Sequence, residues 1–583
     1  MLWIQSYEMS RFSVSFDLNI PAFEEQADIL AEKVCLHFVI GLTDSDVITL
    51  AQNCSNLKSI SLQLKPVSCE EPEGSIYRTP LTDESLKALA LGCPLRCLWN
   101  LGITNLVHPY FTMEDLPGAA LAEIMKRITR TSDLSSLSLV SKRLYTIDAE
   151  HRSTIRVGRG LWPAKEALLT LCSRFSNLRK VEINYHDSTR GDGNQIDNQG
   201  LLTLSTCCPL LTDLILSFCY YIDDSGLAYL TDCKKLVSLR LNSAKNITSS
   251  GLLVVAIGCK NLSGLHLINC NKISGNPEWL KYLGSDGSLE ELVVKNCGGI
   301  SQYDLLLFGP GWMKLQRFVF EVSNLYNILR LRDPSFVANY QHSYDFCCES
   351  LKDLRLRGIA TVEEIGLRSL LGKSKSLQIL CLHFVLGLTD SDMITLSQNC
   401  SNLKSISLQL ESVLGVGPQR RVFRMLLTDV SLKTLALGCR MLQIVELAVY
   451  SRHTPYPEIG FSQEGLATFF QSCPIREPVL CGVNIFDDEV MKALSSAQFL
   501  ETLKLMDCNR ITDAGMRLLA NSSSLVNLTL QDCRGFTDDG VSEVVRARNL
   551  DSLIVQGCRV SWKAVKGAAK SVRYDRGGEV QTA

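Results

Sequence analysis

The stretch LETLKLMDCNRITDAG (residues 500–515) is followed 25 positions on by LVNLTLQDCRGFTDDG (residues 525–540), and the same opening recurs from Leu550 to Cys558. In each unit L-x-x-L-x-L alternates, so its leucines share one side of a strand. The cysteine that follows ends the strand by satisfying backbone groups at a turn. The I-T-D-x-G segment then starts a helix, with Thr or Asp as the cap. No single unit of this kind buries its apolar face, so neighbours must stack and the chain behaves as a one-dimensional array. Similar starts lie at Leu178, Leu211, Leu236, Leu262, Leu289, Leu315, Leu351, Leu377, Leu403 and Leu442, with a degenerate one near Leu480.

This pattern resembles the cysteine-containing leucine-rich repeat over about 400 residues. The resemblance implies a horseshoe whose parallel strands line the concave side. About fourteen strands at about 4.8 Å spacing give an arc of roughly 65 Å. Three departures from the period stand out: residues 323–346, rich in aromatics (Tyr326, Phe336, Tyr340, Tyr344, Phe346); ESVLGVGPQRRVFRML (residues 411–426); and YSRHTPYPEIGF (residues 450–461). Insertions in a solenoid map to loops on one face, often the binding face, although plain drift in loop length gives the same pattern.

Ahead of the repeats, MEDLPGAALAEIMKRITRTSDLSSLSLVSKRL (residues 113–144) has a different period. Pro117 suits a helix start. Leu121, Ile124, Met125 and Ile128 share one helical face, and Leu134, Leu137 and Val140 form a second run. Ser132 or Asp133 between them can cap the second helix. Leu-Pro, then Ile-Met-x-x-Ile, then Asp-Leu-x-x-Leu-x-x-Val-Ser-Lys-Arg-Leu is similar to the F-box, with Leu144 where that family often has tryptophan. The resemblance implies docking on the adaptor Skp1, and through it on a cullin and RING ubiquitin ligase. The positions carried over are Leu116, Pro117, Ile124, Ile128, Leu134, Leu137 and Val140.

Composition is consistent with such an adaptor. At 583 residues the chain exceeds one ordinary core. A net charge of −2 and a pI near 6.5 point neither to nucleic acid nor to an acidic tail. No apolar run has the length of a membrane span and the N-terminus lacks a secretion signal, so the reading is a soluble protein of the nucleus or cytoplasm. The 23 cysteines fall at repeat positions, as reduced, buried, small apolar residues would. No metal-ligand spacing, phosphate loop, nucleophile elbow or histidine pair is present, so neither a metal nor a cofactor is expected and no residue is assigned to catalysis.

The expected fold class is α/β, a leucine-rich-repeat horseshoe solenoid with parallel concave strands, preceded by an all-α F-box. Its segments are a duplicated partial repeat (1–112), the F-box (113–155), a linker (156–177), about fourteen repeats (178–562) and a tail (563–583). The first segment is expected because residues 35–64 repeat residues 381–410 with three differences (Ile40/Leu386, Val47/Met393, Ala51/Ser397), an offset of 346. A strand-and-helix fragment there lacks neighbours to stack on, which makes Met113 the expected functional start and a regulatory lid the competing reading. The expected function is that of the subunit that holds a protein for ubiquitination by its partners. Two alternatives stay open: a small-molecule co-receptor like the auxin and jasmonate receptors, and a repeat scaffold or GTPase regulator without ligase activity. Outward positions on the concave strands form a mainly basic series, Arg240, His266, Lys295, Arg317, Arg355, Arg357 and His383, interrupted by Glu291, Glu321 and Asp353. An acidic or phosphorylated segment is the partner that series would take.

Overall fold

In the computed structural model, the residues described ahead of position 118 are the backbones of six strands; from there the chain is described to residue 582 except at 129, 159–162, 187–194, 275–276, 303, 323–346, 360, 362–366, 412–426, 451–459, 483–484, 548, 567–570 and 576–579. It divides into two compact units, residues 1–157 with 166–181, and residues 158–165 with 182–583.

In the first unit, strands β1 (Ser13–Phe16), β2 (Lys33–Val39), β3 (Ser59–Leu64) and β6 (Leu98–Leu101) pair in parallel, while β4 (Val67–Glu71) and β5 (Gly74–Arg78) form an antiparallel hairpin. The β2–β3 register sets Cys35 opposite Ser61 and His37 opposite Gln63. Three helices follow: α1 (Gly118–Arg127), α2 (Thr131–Ser138) and α3 (Lys142–His151). They bury Leu121, Ala122, Met125, Leu144 and Ile147 between them. The two helices expected over residues 113–144 are α1 and α2, and α3 follows them. Leu139 and Val140 form a tight turn, donating to the Ser136 and Leu137 carbonyls, and Ser141 caps α3 by accepting from Leu144 N–H at 3.3 Å. The expected cap of α2 is corrected. The helix starts at Thr131 with Arg130 as its uncapped flank, which puts Ser132 and Asp133 inside the first turn. The stretch read as a linker holds the end of strand β7 (Thr154–Gly158) and a further helix, α4 (Ala164–Arg174).

After strand β8 (Lys180–Asn184), the second unit holds the repeats. Its parallel sheet runs in chain order through β9 (Asp213–Ser217), β10 (Ser238–Asn242), β11 (Gly264–Ile268), β12 (Glu291–Lys295), β13 (Arg317–Glu321), β14 (Asp353–Arg357), β15 (Ile379–His383), β16 (Ser405–Glu411) and β17 (Ile444–Tyr450). It continues through β18 (Glu477–Cys481), β19 (Thr502–Met506), β20 (Asn527–Gln531), β21 (Ser552–Gln556) and β22 (Ser571–Asp575). Strand β22 lies in the stretch read as a tail, and β23 (Val580–Thr582) pairs antiparallel to it. This is an α/β leucine-rich-repeat solenoid. The β15–β16 register sets Cys381 opposite Ser407 and His383 opposite Gln409, the same pairs of residue types that β2 and β3 oppose.

The repeat chemistry explains the stacking. In one unit Leu525, Leu528, Leu530, Cys533 and Phe536 are all at most 1% exposed, and each buried leucine contributes about 1.5–3 kcal/mol. The cysteine thiol at the strand end donates to two carbonyls. Cys508 reaches Met506 in its own repeat at 3.3 Å and Leu480 in the one before at 3.4 Å. Burial pushes the strand-end thiol of Cys219 up to about 12, so it remains protonated.

On the helix side, Thr512 caps its own helix by accepting from Ala514 N–H, and its own N–H and hydroxyl donate to Asp488 of the preceding repeat at 2.8 and 2.6 Å. The same stitch joins Asp513 to Thr537, Asp538 to Ser561, Asp224 to Thr248, Asp390 to Thr428 and Asp429 to Ser462. The glycine of I-T-D-x-G completes it: a Cβ on Gly515 would overlap the Asp488 carboxylate, and one on Gly465 would overlap that of Asp429.

Candidate functional site

Two surfaces stand out, one in each unit. On the helical unit, Ile124, Leu134 and Leu137 pack half-buried at the edge of the small core, and Ile128 is also half-buried. Val140 is 72% exposed, and beside it Leu139 is 81% exposed. Leu116 and Pro117 lie outside the described residues. Leu139 carries no signal in the sequence, because the helical period runs through it; only the turn that ends α2 presents it to solvent.

A buried polar cluster braces the same helices. Asp148 and Arg152 pair at 2.8 Å with side chains 2% and 5% exposed, and Arg174 reaches the same carboxylate at 3.2 Å. Arg152 also donates to Ser135 at 3.1 Å. The Arg174 guanidinium lies 3.5 Å from the Tyr145 ring centroid, and both arginines lie 4.7 Å from that of Phe175. The cluster therefore ties α2, α3 and α4 together through charge and stacking.

On the repeats, strand register sorts the expected basic series into three rows. Arg240, His266 and Arg355 share the middle row, which continues through Cys381 and Ser407 to Glu446. Lys295, Arg357 and His383 share a second row, and Arg317 lies in the third, between Glu291 and Asp353. Strands about 4.8 Å apart make opposite charges in one row direct neighbours, which neutralises Lys295 and Arg317. Arg317 bridges Glu291 and Asp353, Arg355 binds Asp353 at 2.8 Å, and Lys295 binds Glu321 at 2.8 Å. The His266 Nε2 lies 3.1 Å from Glu291 but off the direction of a good hydrogen bond. Val293 and Val319, in the middle row, are buried. The basic series and the acidic residues that interrupt it thus form a paired lattice, in which Arg240 and Arg357 are left without an ion pair among the described residues.

Burial holds His266 below its ordinary 6.5, against the pull of Glu291. Burial works to raise the Glu291 pKa, but His266 and Arg317 outweigh it and hold the carboxyl low. His383 is also lowered, chiefly by burial.

Beside Arg357 stands a group that sequence reading missed. The guanidinium lies 5.0 Å from the centroid of the Phe384 ring, which is tilted against Tyr450 at 5.6 Å. Phe384 has φ 52°, a left-handed conformation that bulky residues rarely take. His383 Nε2 meets Ser407 Oγ at 2.7 Å, Ser407 donates to one oxygen of Glu446 at 2.7 Å, and Gln409 donates to the other at 2.7 Å. Ser407 has one proton and spends it on Glu446, so the His383 Nε2 must be the protonated nitrogen. Burial foremost pushes the Tyr450 phenol up to about 12. The insertions at 323–346, 412–426 and 451–459 follow β13, β16 and β17, so they leave from the same end of the strands.

Among the described residues no group of His, Cys, Asp or Glu could hold a metal ion, and no helix is long and apolar enough to cross a membrane. Among the described residues no cysteine is in a disulfide.

Comparison with known proteins agrees with the repeat architecture. A family model described as "Leucine Rich repeat" matches residues 496–520. The chain is 23% identical over 282 residues to the BTB/POZ domain-containing protein FBL11 of Arabidopsis thaliana, across 45% of this chain and 29% of that protein, so less than a third of the relative is represented. Among solved structures it is similar to the yeast Rad7 and Elc1 complex (TM-score 0.37, 16% identity, 78% of this chain and 96% of that one). It is also similar to an internalin of Listeria monocytogenes (TM-score 0.36, 16% identity, 72% and 93%).

Proposed function

We propose that the chain is the substrate-recognition subunit of a Skp1–cullin–F-box ubiquitin ligase. The helical unit holds the Skp1-like adaptor, and the concave strands hold the protein to be ubiquitinated. Catalysis belongs to the partner subunits, and the complex acts in the nucleus or cytoplasm. The observation that carries this reading is the pair Leu139 and Val140, exposed in the turn that ends α2, in a bundle whose Ile124, Leu134 and Leu137 are only half-buried. So small a bundle leaves apolar surface uncovered where a partner is to cover it. The weak similarity to FBL11 supports a role of this general kind.

The test is direct binding of purified Skp1 to the full chain. Leu139→Ser with Val140→Ser removes two side chains worth about 1.5–3 kcal/mol each on burial, so affinity should fall about 100-fold or more. Leu116→Ala with Pro117→Ala should also abolish binding. Helical content and thermal unfolding should be unchanged in the turn variant, because neither side chain is in the core. Undiminished Skp1 binding by both variants would remove the assignment.

A further inference from the structure

We infer that Arg357, with His383 beside it, is the receptor for one side-chain carboxylate of an extended peptide laid across strands β14 to β17. This rests on the reading that the concave strands hold a protein partner, and it states what that partner must present.

The charge count selects the ligand. Lys295, Arg317 and Arg355 are committed to Glu321, Glu291 and Asp353, so they are not free to receive an anion. Arg357 is half-buried, with Phe384 against one face of its guanidinium and, among the described residues, no carboxylate on its N–H groups. Its planar fork suits a carboxylate. Phe384 holds its left-handed backbone where glycine serves at the same strand end in the preceding repeat (Gly358, φ 67°), and its ring is the surface on which Arg357 rests. The left-handed turn itself belongs to the repeat, since Phe218, Ser243, Asn269, Asn296, Asp507 and Asp532 make it at the same strand end; what is particular to Phe384 is the ring stacked on Arg357.

His383 supplies the second half of the recognition. Its Nε2–H is engaged by Ser407, so in the neutral ring Nδ1 is an acceptor, able to take a backbone N–H. An anion receptor beside an N–H acceptor matches a peptide that carries an Asp or Glu. It matches a phosphate dianion less well, since one uncommitted arginine balances one charge.

The experiment selects octapeptides from a random phage-displayed library on the full-length chain. Each selected peptide is then synthesised with its acidic residue kept, changed to Gln, or changed to phosphoserine. The selected peptides should share an Asp or Glu. The Gln forms should bind about tenfold weaker or more, and Arg357→Gln should weaken the acidic form equally while erasing the difference between acid and amide. Arg357→Lys, which keeps the charge without the fork, should fall between, and both variants should bind Skp1 as the parent does. Recovery of no acidic motif, equal binding of the Gln forms, indifference to Arg357→Gln, or tighter binding of the phosphoserine forms would overturn the proposal. Cys381→Trp separates the two levels: if it blocks the peptides while Arg357→Gln does not, the face binds by other groups; if neither matters, the concave-face reading falls too.

Discussion

Replacing Gly515 by alanine tests the stitch between repeats most directly. The added Cβ would overlap the Asp488 carboxylate, with Ile511 Cγ2 next nearest at 3.2 Å. To make room, Asp488 must give up its two bonds to Thr512, at 2.8 and 2.6 Å. Partly exposed bonds to a charged group are worth about 0.5–1.5 kcal/mol each, so Gly515→Ala should cost about 2–3 kcal/mol once the displaced carboxylate is included. Asp488→Ala alone loses the bonds without the overlap and should cost about 1–2 kcal/mol. In that background the glycine substitution meets only the movable Ile511 methyl, and alanine is the better helix former by about 1 kcal/mol, so its cost should vanish or reverse. The double-mutant coupling is then about 2–3 kcal/mol. An array of repeats does not unfold as one two-state body, so the readout is hydrogen exchange at the Thr512 amide, supported by denaturant unfolding of the full chain. An equal cost for Gly515→Ala in both backgrounds would refute the argument, since the overlap would then not lie with Asp488.

Asp148→Ala should cost about 3–5 kcal/mol, because it strands Arg152 without a counter-charge in a buried site; limited proteolysis should find new cuts around α2 and α3, and a protease-resistant variant would contradict the role given to the cluster. Stability should also fall on mild acidification. His266 and His383 bind protons less readily folded than unfolded, so their contribution is complete above about pH 6.5 and lost as pH drops toward the lowered folded values. The carboxyls of Glu291 and Asp513, also held low in the fold, extend the loss through the acid range. A thermal midpoint that is flat from pH 7 to pH 5, or a fall that survives when both histidines are replaced by Gln, would count against this. Removal of residues 1–112 should leave the unfolding of the repeats and Skp1 binding unchanged, and loss of either would favour a lid.

The repeat starts were legible because a 25-residue period carries the leucines, the cysteine and the capping threonine at fixed offsets. Legibility failed where one residue serves two repeats. Asp488 looks like a first-turn acid of its own helix, yet its bonds run to Thr512, 24 positions on. The β18 strand was faint because Ile475 and Pro478 stand where other repeats have leucine, and only pairing with Val445 and Glu446 fixes its register. For the basic series, alternation assigns a face and not a row. Whether Arg317 is free or sits between Glu291 and Asp353 depends on strand neighbours that no local pattern contains. In the helical unit, apolar spacing continued unbroken through Leu139 and Val140, and the hydrogen bonds of the turn decided otherwise.

The aspartate stitches have a consequence for how this surface can vary. Between repeats of ordinary length the stitched residues are 24 apart, but Asp390 reaches Thr428 across 38 positions and Asp429 reaches Ser462 across 33, in both cases at 2.8 Å from N–H to carboxylate. The extra chain leaves from the strand end and returns before the next threonine, so the helix-side seam closes at the same length whatever was inserted. Doubling such a segment costs only about 0.6 kcal/mol in closure entropy. One margin of the array is thus held to a fixed gauge while the opposite margin can lengthen, shorten or change composition, and mutation can sample new binding rims without disturbing the frame that carries them.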